Sequence, residues 1–115
     1  MTLKEFYTVS GGDYEGTLAR LLTEARIKKF AHKFKDDPSF GELCKALEEG
    51  NAEAAFLAAH TLKGVCQNLG FDSLYRSSSA ITEILRAGSL DVGMWMDELK
   101  SQYITIINAL VALEP

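Results

Sequence analysis

Two histidines, His32 and His60, are the side chains of this 115-residue chain best suited to nucleophilic or acid–base chemistry near neutral pH. An imidazole in water is largely neutral at pH 7 and offers a ring-nitrogen lone pair, so a histidine on a solvent face can act as a base or accept an electrophile. His60 lies in AAHTLKGVCQNLGF, Ala58 to Phe71, with Lys63 at the i+3 position and Gly64 at i+4. Lys63 would set a flexible ammonium, a good point charge for phosphate, beside any anion attached to the ring. Gly64 leaves open the space above the imidazole, although glycine inside a helix costs about 1 kcal/mol relative to alanine.

His32 is the internal control. Lys35 stands at its i+3 position, but Asp36 occupies i+4 with Asp37 beyond, and these charges would repel a phosphoryl group. His32 is read as plain surface. No Ser, Thr or Cys nucleophile has a His/Asp partner at a recognisable spacing, and neither a G-x-x-x-x-G-K loop nor a kinase motif set is present, so the chain has no evident way to use ATP. Cys44 and Cys66 form no C-x-x-C or Cys/His ligand pattern and recur with apolar residues at helical spacing, which makes them small buried hydrophobes. His60 has no second ligand at i+4, so no metal site is expected.

The helix that carries His60 must hold the ring outward. At about 100° per residue, Ala55, Ala58, Leu62, Val65 and Leu69 fall opposite His60, while Glu53, Phe56, Lys63, Gly64 and Gln67 lie within about 60° of it. His60 therefore faces solvent, with the core supplied by the other face. Asn51 is a good N-cap for this helix, and Gly70 is placed as its left-handed C-terminal residue, with Phe71 folding back on the last turn. Phe56 is an exposed aromatic on a polar face unless the N-terminal helices cover it; with Thr61 and Gln67 it makes a candidate partner-docking surface.

The remaining segments are also helical. Thr2 caps a helix from about Leu3 to Val9, broken at Ser10 to Gly12; Asp13 starts a second with Tyr14, Leu18 and Leu21 on one face. Thr23 caps a third in which Ile27, Phe30 and Phe34 share the core face, and Asp36, Asp37 and Pro38 end it. Phe40, Cys44 and Leu47 mark a short amphipathic segment before Gly50. Leu74, Ser78, Ile81 and Leu85, then Val92, Met96, Leu99, Tyr103, Ile106, Leu110 and Leu113, repeat in steps of four and three. Such seams joined by short loops predict an all-α fold: an up-and-down antiparallel four-helix bundle over about 23–113, with additional short helices over 1–22, in one domain spanning 1–115.

Apolar residues make up 47% of the chain and charged residues 24%, a globular composition. A net charge of −4 with only one short basic stretch, Lys28 to Lys35, argues against nucleic acid as a partner. No segment reaches the roughly 18 apolar residues of a membrane span and no signal peptide is visible, so a cytoplasmic protein is expected.

AAHTLKGVCQNLGF is similar to the motif of histidine-containing phosphotransfer (HPt) domains, H-x-L-K-G followed by small residues and N-L-G. His60, Leu62, Lys63, Gly64, Asn68, Leu69 and Gly70 match it position by position. The resemblance implies that His60, through Nε2, accepts a phosphoryl group from a receiver-domain phospho-aspartate and passes it to another receiver. Lys63 would neutralise the group and Gly64 would give it room. It further implies response-regulator receivers and a hybrid histidine kinase as partners, no cofactor of its own, Mg²⁺ in the receiver, and a monomeric carrier without autonomous kinase activity. A start at Met1 without a linker favours a free-standing shuttle. One position departs from the family: where some members place a glutamine that hydrogen-bonds the imidazole, this chain has Thr82, and Gln67 is the candidate replacement. The alternative reading is a non-catalytic helical adaptor that binds partners through the His60/Phe56 face.

Overall fold

Four short polar side chains start four of the helices. Thr2, Asp13, Thr23 and Asn51 each accept a hydrogen bond from the backbone N–H three residues on, at 3.1, 3.0, 3.1 and 3.1 Å. At Thr2 the cap is reciprocal, because the Glu5 carboxylate accepts the Thr2 N–H at 2.8 Å and completes a capping box. The computed structural model describes residues 1–115, and no residue is in a strand. Its helices are α1 (Leu3–Ser10), α2 (Tyr14–Leu21), α3 (Glu24–Lys33), α4 (Ser39–Glu48), α5 (Ala52–Leu69), α6 (Asp72–Arg86) and α7 (Gly93–Ala112), with a 3₁₀ turn at Phe34–Asp36.

Three residues separate α4 from α5 and two separate α5 from α6, so these neighbours fold back on each other as helical hairpins. α5 packs between α4 and α6, and α7 packs on α6. The bundle closes where Phe40 of α4 stacks on Tyr103 of α7, ring centroids 3.9 Å apart and planes 8° from parallel. α7 therefore stands diagonally across the bundle from α5. α3 and the 3₁₀ turn precede α4 and run along the C-terminal end of α7, while α1 covers that same end. No helix is long and apolar enough to cross a membrane.

One apolar cluster joins all of these elements. Its aromatic centre is Phe71, fully buried in the α5–α6 connection, with the Phe34, Phe6 and Tyr7 rings at 5.2, 5.8 and 6.1 Å. Burial of one such ring is worth about 1.5–3 kcal/mol. The buried hydroxyls of α6 are satisfied locally or across the bundle: Ser78 donates to the Leu74 carbonyl at 2.8 Å and Ser77 to Gln102 Oε1 at 2.6 Å. No buried side-chain polar atom lacks a partner.

The core face of α3 differs from the expected one. Ile27, Ala31 and Phe34 are buried, whereas Phe30 is 37% exposed with the Lys33 ammonium 5.7 Å over its ring. Ala31 divides the span from Ile27 to Phe34 as four and three where Phe30 divides it as three and four, and its small side chain lets α3 approach its neighbours closely. His32 is half-buried, with Nε2 3.4 Å from the Glu114 carbonyl, and so is not plain surface.

Candidate functional site

α5 begins with AEAAFLAA, a run of strong helix formers whose small side chains let α4 and α6 pack closely on both flanks. Ala55, Ala58, Ala59, Leu62, Cys66 and Leu69 are buried, and Val65 is half-buried. His60 emerges on the opposite, exposed side, as the periodicity predicts. Burial pushes the Cys66 thiol far above its ordinary range, which leaves it an inert packing group.

Around the imidazole, Gly64 is exposed, and a Cβ built there would meet nothing within 4 Å. The glycine is thus not required for close packing against a neighbouring helix. Lys63 is half-buried, and Thr61 is exposed with its hydroxyl donating to the Leu57 carbonyl at 3.0 Å. Gln67 is exposed seven residues past His60, about 10 Å along the helix axis. Thr82 is fully buried and donates to the Ser78 carbonyl at 2.6 Å. Neither Gln67 nor Thr82 hydrogen-bonds the imidazole.

The side chain that does contact the His60 ring is Phe56, with centroids 5.8 Å apart and planes tilted by 31°. Phe56 is not a freely exposed aromatic. It is half-buried, and what covers it is Arg86 of α6, whose guanidinium lies 4.8 Å over the ring, rather than an N-terminal helix. Arg86 is also paired with Glu83 at 3.3 Å, so a charge-bearing edge of α6 borders the site.

Two shallow clefts flank this surface. One, about 280 Å³, is lined by Phe56, Leu85 and Arg86 on the α6 side; the other, about 300 Å³, by Asp37, Ser39, Ala58 and Thr61 on the α4 side. Leu57 borders both and is 61% exposed. It falls about 60° from His60 on the helical wheel, so periodicity carried a signal for it. Arg86 had no such signal, because its approach to Phe56 depends on how α5 and α6 pair.

The C-terminal end of α5 is held by the N-terminal helices. Gly70 takes φ +69°, and the N–H of Phe71 bonds to the Cys66 carbonyl at 3.0 Å. The Leu69 carbonyl accepts Tyr7 Oη at 2.5 Å and Thr17 Oγ1 at 3.3 Å, while Arg20 donates to the Gln67 and Asn68 carbonyls at 3.1 and 3.2 Å. A guanidinium at a helix C-terminus also complements the helix dipole. Residues that read as an appendage therefore cap the helix that presents His60.

This arrangement offers an accessible imidazole with open space on one side, an ammonium one turn away and an apolar residue beside it. It can present a nucleophilic nitrogen to an electrophile carried by another protein. A sequence model of the Hpt domain family matches residues 18–109. Comparison with curated proteins and with solved structures gives no match.

Proposed function

The chain belongs to the Hpt domain family, phosphocarriers of two-component signalling that work with receiver domains and kinases, and from that membership we propose that His60 is its phosphoacceptor. In this reading His60 Nε2 attacks the phosphorus of a receiver's aspartyl phosphate. The N–P bond forms as the P–O bond to the aspartate breaks, the aspartate leaves as carboxylate, and the ring keeps its Nδ1 proton. The reverse step on a second receiver's aspartate discharges the carrier. Mg²⁺ held by the receiver would neutralise charge on the phosphoryl oxygens, and upstream the phosphoryl group would originate from a hybrid histidine kinase.

The observation that carries this proposal is the exposure of His60 beside the empty space over Gly64. An in-line attack needs the incoming phosphorus about 3–3.5 Å from the nitrogen, and a side chain at position 64 would stand in that approach. Lys63 supplies positive charge one turn on, within reach of phosphoryl oxygens. Phe56 packs beside the imidazole on the other side, and Leu57 and Thr61 offer an apolar and a polar contact to the docking receiver. Gln67 lies on the same face for a receiver edge further along α5. The protein acts in the cytoplasm as a monomer in this reading.

The test is transfer from a panel of receiver domains charged on aspartate, followed as acid-labile, base-stable phosphate. Label is expected on the wild type and on His32→Gln, and none on His60→Gln. Label retained by His60→Gln would assign the acceptor elsewhere. Absence of label from every receiver, with binding intact, would favour the adaptor reading.

A further inference from the structure

A second surface stands apart from the His60 face. α3 lies along the C-terminal turns of α7 with a groove of about 910 Å³ between them. Lys28, Lys29, Lys33 and Lys35 line it, and Asp36 is the one acidic side chain in the lining. The protein's single ion pair is Arg86 with Glu83, so none of these four ammonium groups has a carboxylate partner within the chain. Five of the twelve Lys and Arg residues fall within Arg26 to Lys35, on a chain whose net charge is −4. Positive charge is thus concentrated along this stretch, with Glu5, Glu24 and Glu114 beside Lys28 in the neighbouring cleft.

The floor beside these cations, on the α7 side, is apolar. Leu110 and Leu113 are buried beneath it, and Val111 stands at its edge 76% exposed. A basic wall beside an apolar floor matches a ligand that brings carboxylates and apolar side chains together. A flat anionic membrane would meet the groove only at its rims. A nucleic-acid backbone would gain from four lysines but would leave the apolar floor unfilled and run on into the acidic remainder of the surface. A polypeptide segment confined to the groove stays within a Debye length of about 8 Å of the lysines.

We propose that the α3–α7 groove docks an acidic polypeptide segment carrying apolar side chains. Because α7 is diagonal to α5, such a segment and a receiver on the His60 face can be bound together. The segment would tether the protein to a partner and raise the local concentration of whatever that partner presents to His60.

The probe is a fluorescein-labelled synthetic peptide in which Glu and Asp surround Leu and Phe spaced along one helical face, titrated by fluorescence anisotropy. Saturable binding is expected, with amide shifts confined to α3 and the last turns of α7. Reversing two exposed lysines together, Lys29→Glu and Lys33→Glu, should weaken binding by about tenfold or more, and Val111→Ser by a smaller factor. Circular dichroism melts establish that both variants remain folded, and phosphoryl acceptance from an isolated receiver domain should be unchanged in them. No binding at millimolar peptide, or binding insensitive to the reversal, would overturn the proposal. So would a clear preference for single-stranded DNA or for vesicles of equimolar phosphatidylcholine and phosphatidylserine, which would give the groove to a different class of partner.

Discussion

The guanidinium of Arg86 rests 4.8 Å over the ring of Phe56, joining the end of α6 to the turn of α5 that precedes His60. This contact fixes the one side chain packed against the imidazole and covers an aromatic that would otherwise be open. A cation–π pair at a partly exposed site is worth about 0.5–1 kcal/mol. A double-mutant cycle of Arg86→Ala and Phe56→Ala, followed by urea denaturation, should return a coupling energy of that size. Strict additivity would mean that the two groups are merely adjacent.

Gly64→Gln should separate folding from transfer. With nothing near its Cβ, the substitution adds a better helix former and should stabilise the domain by about 0.5 kcal/mol. The same side chain stands in the approach to the imidazole, and acceptance from a charged receiver should slow by about ten- to a hundredfold. Unfolding instead would show that position 64 is needed for packing.

Lys63→Ala removes charge without removing the bond-forming nitrogen. Transfer should fall by about tenfold and remain measurable, while His60→Gln abolishes it. Equal losses would give Lys63 a larger part than electrostatic support.

Gly70→Ala should be costly although it adds a single methyl group. The residue sits at φ +69°, and its new Cβ would run into the hydroxyl of Thr17. The expected loss is about 1–3 kcal/mol in chemical denaturation. A neutral result would require α2 to draw back from the end of α5, which loss of amide protection at Thr17 would reveal.

Alkaline pH should loosen the same junction. Burial pushes the Tyr7 phenol up to about 12 from its ordinary value of 10.0. The neutral phenol is the form that packs and donates to the Leu69 carbonyl. Its contribution is complete below about pH 10, where an unfolded tyrosine begins to ionise, and is lost progressively as the pH rises to about 12. Denaturation midpoints across that window should fall in the wild type and fall less steeply in Tyr7→Phe, which starts lower for want of the hydrogen bond.

What the sequence made legible is what depends on near neighbours. Thr2, Asp13, Thr23 and Asn51 announce helix starts because a cap involves residues three apart, and Gly70 announces a stop for the same reason. The outward direction of His60 follows from the period of a single helix. The spacing from Ile27 to Phe34 admits Phe30 to the core face, yet Ala31 fits a helical period as well, and only the approach of the neighbouring helices selects between them. The cover over Phe56 and the caps on α5 were hidden for a different reason. Arg86 lies 30 positions from Phe56, Tyr7 lies 62 from Leu69, and Arg20 lies 47 from Gln67, distances over which no periodicity speaks.

The burial of α1 against Phe71 and the end of α7 has a consequence for how the molecule is made. At about 5–20 residues per second, the ribosome delivers α7 roughly 5 to 20 seconds after α1. Through that interval Leu3, Phe6 and Tyr7, all buried in the finished fold, have no completed surface to dock on. α1, made well before α7, is therefore among the last of these helices to find its place, and its apolar face stays adhesive until α7 has emerged.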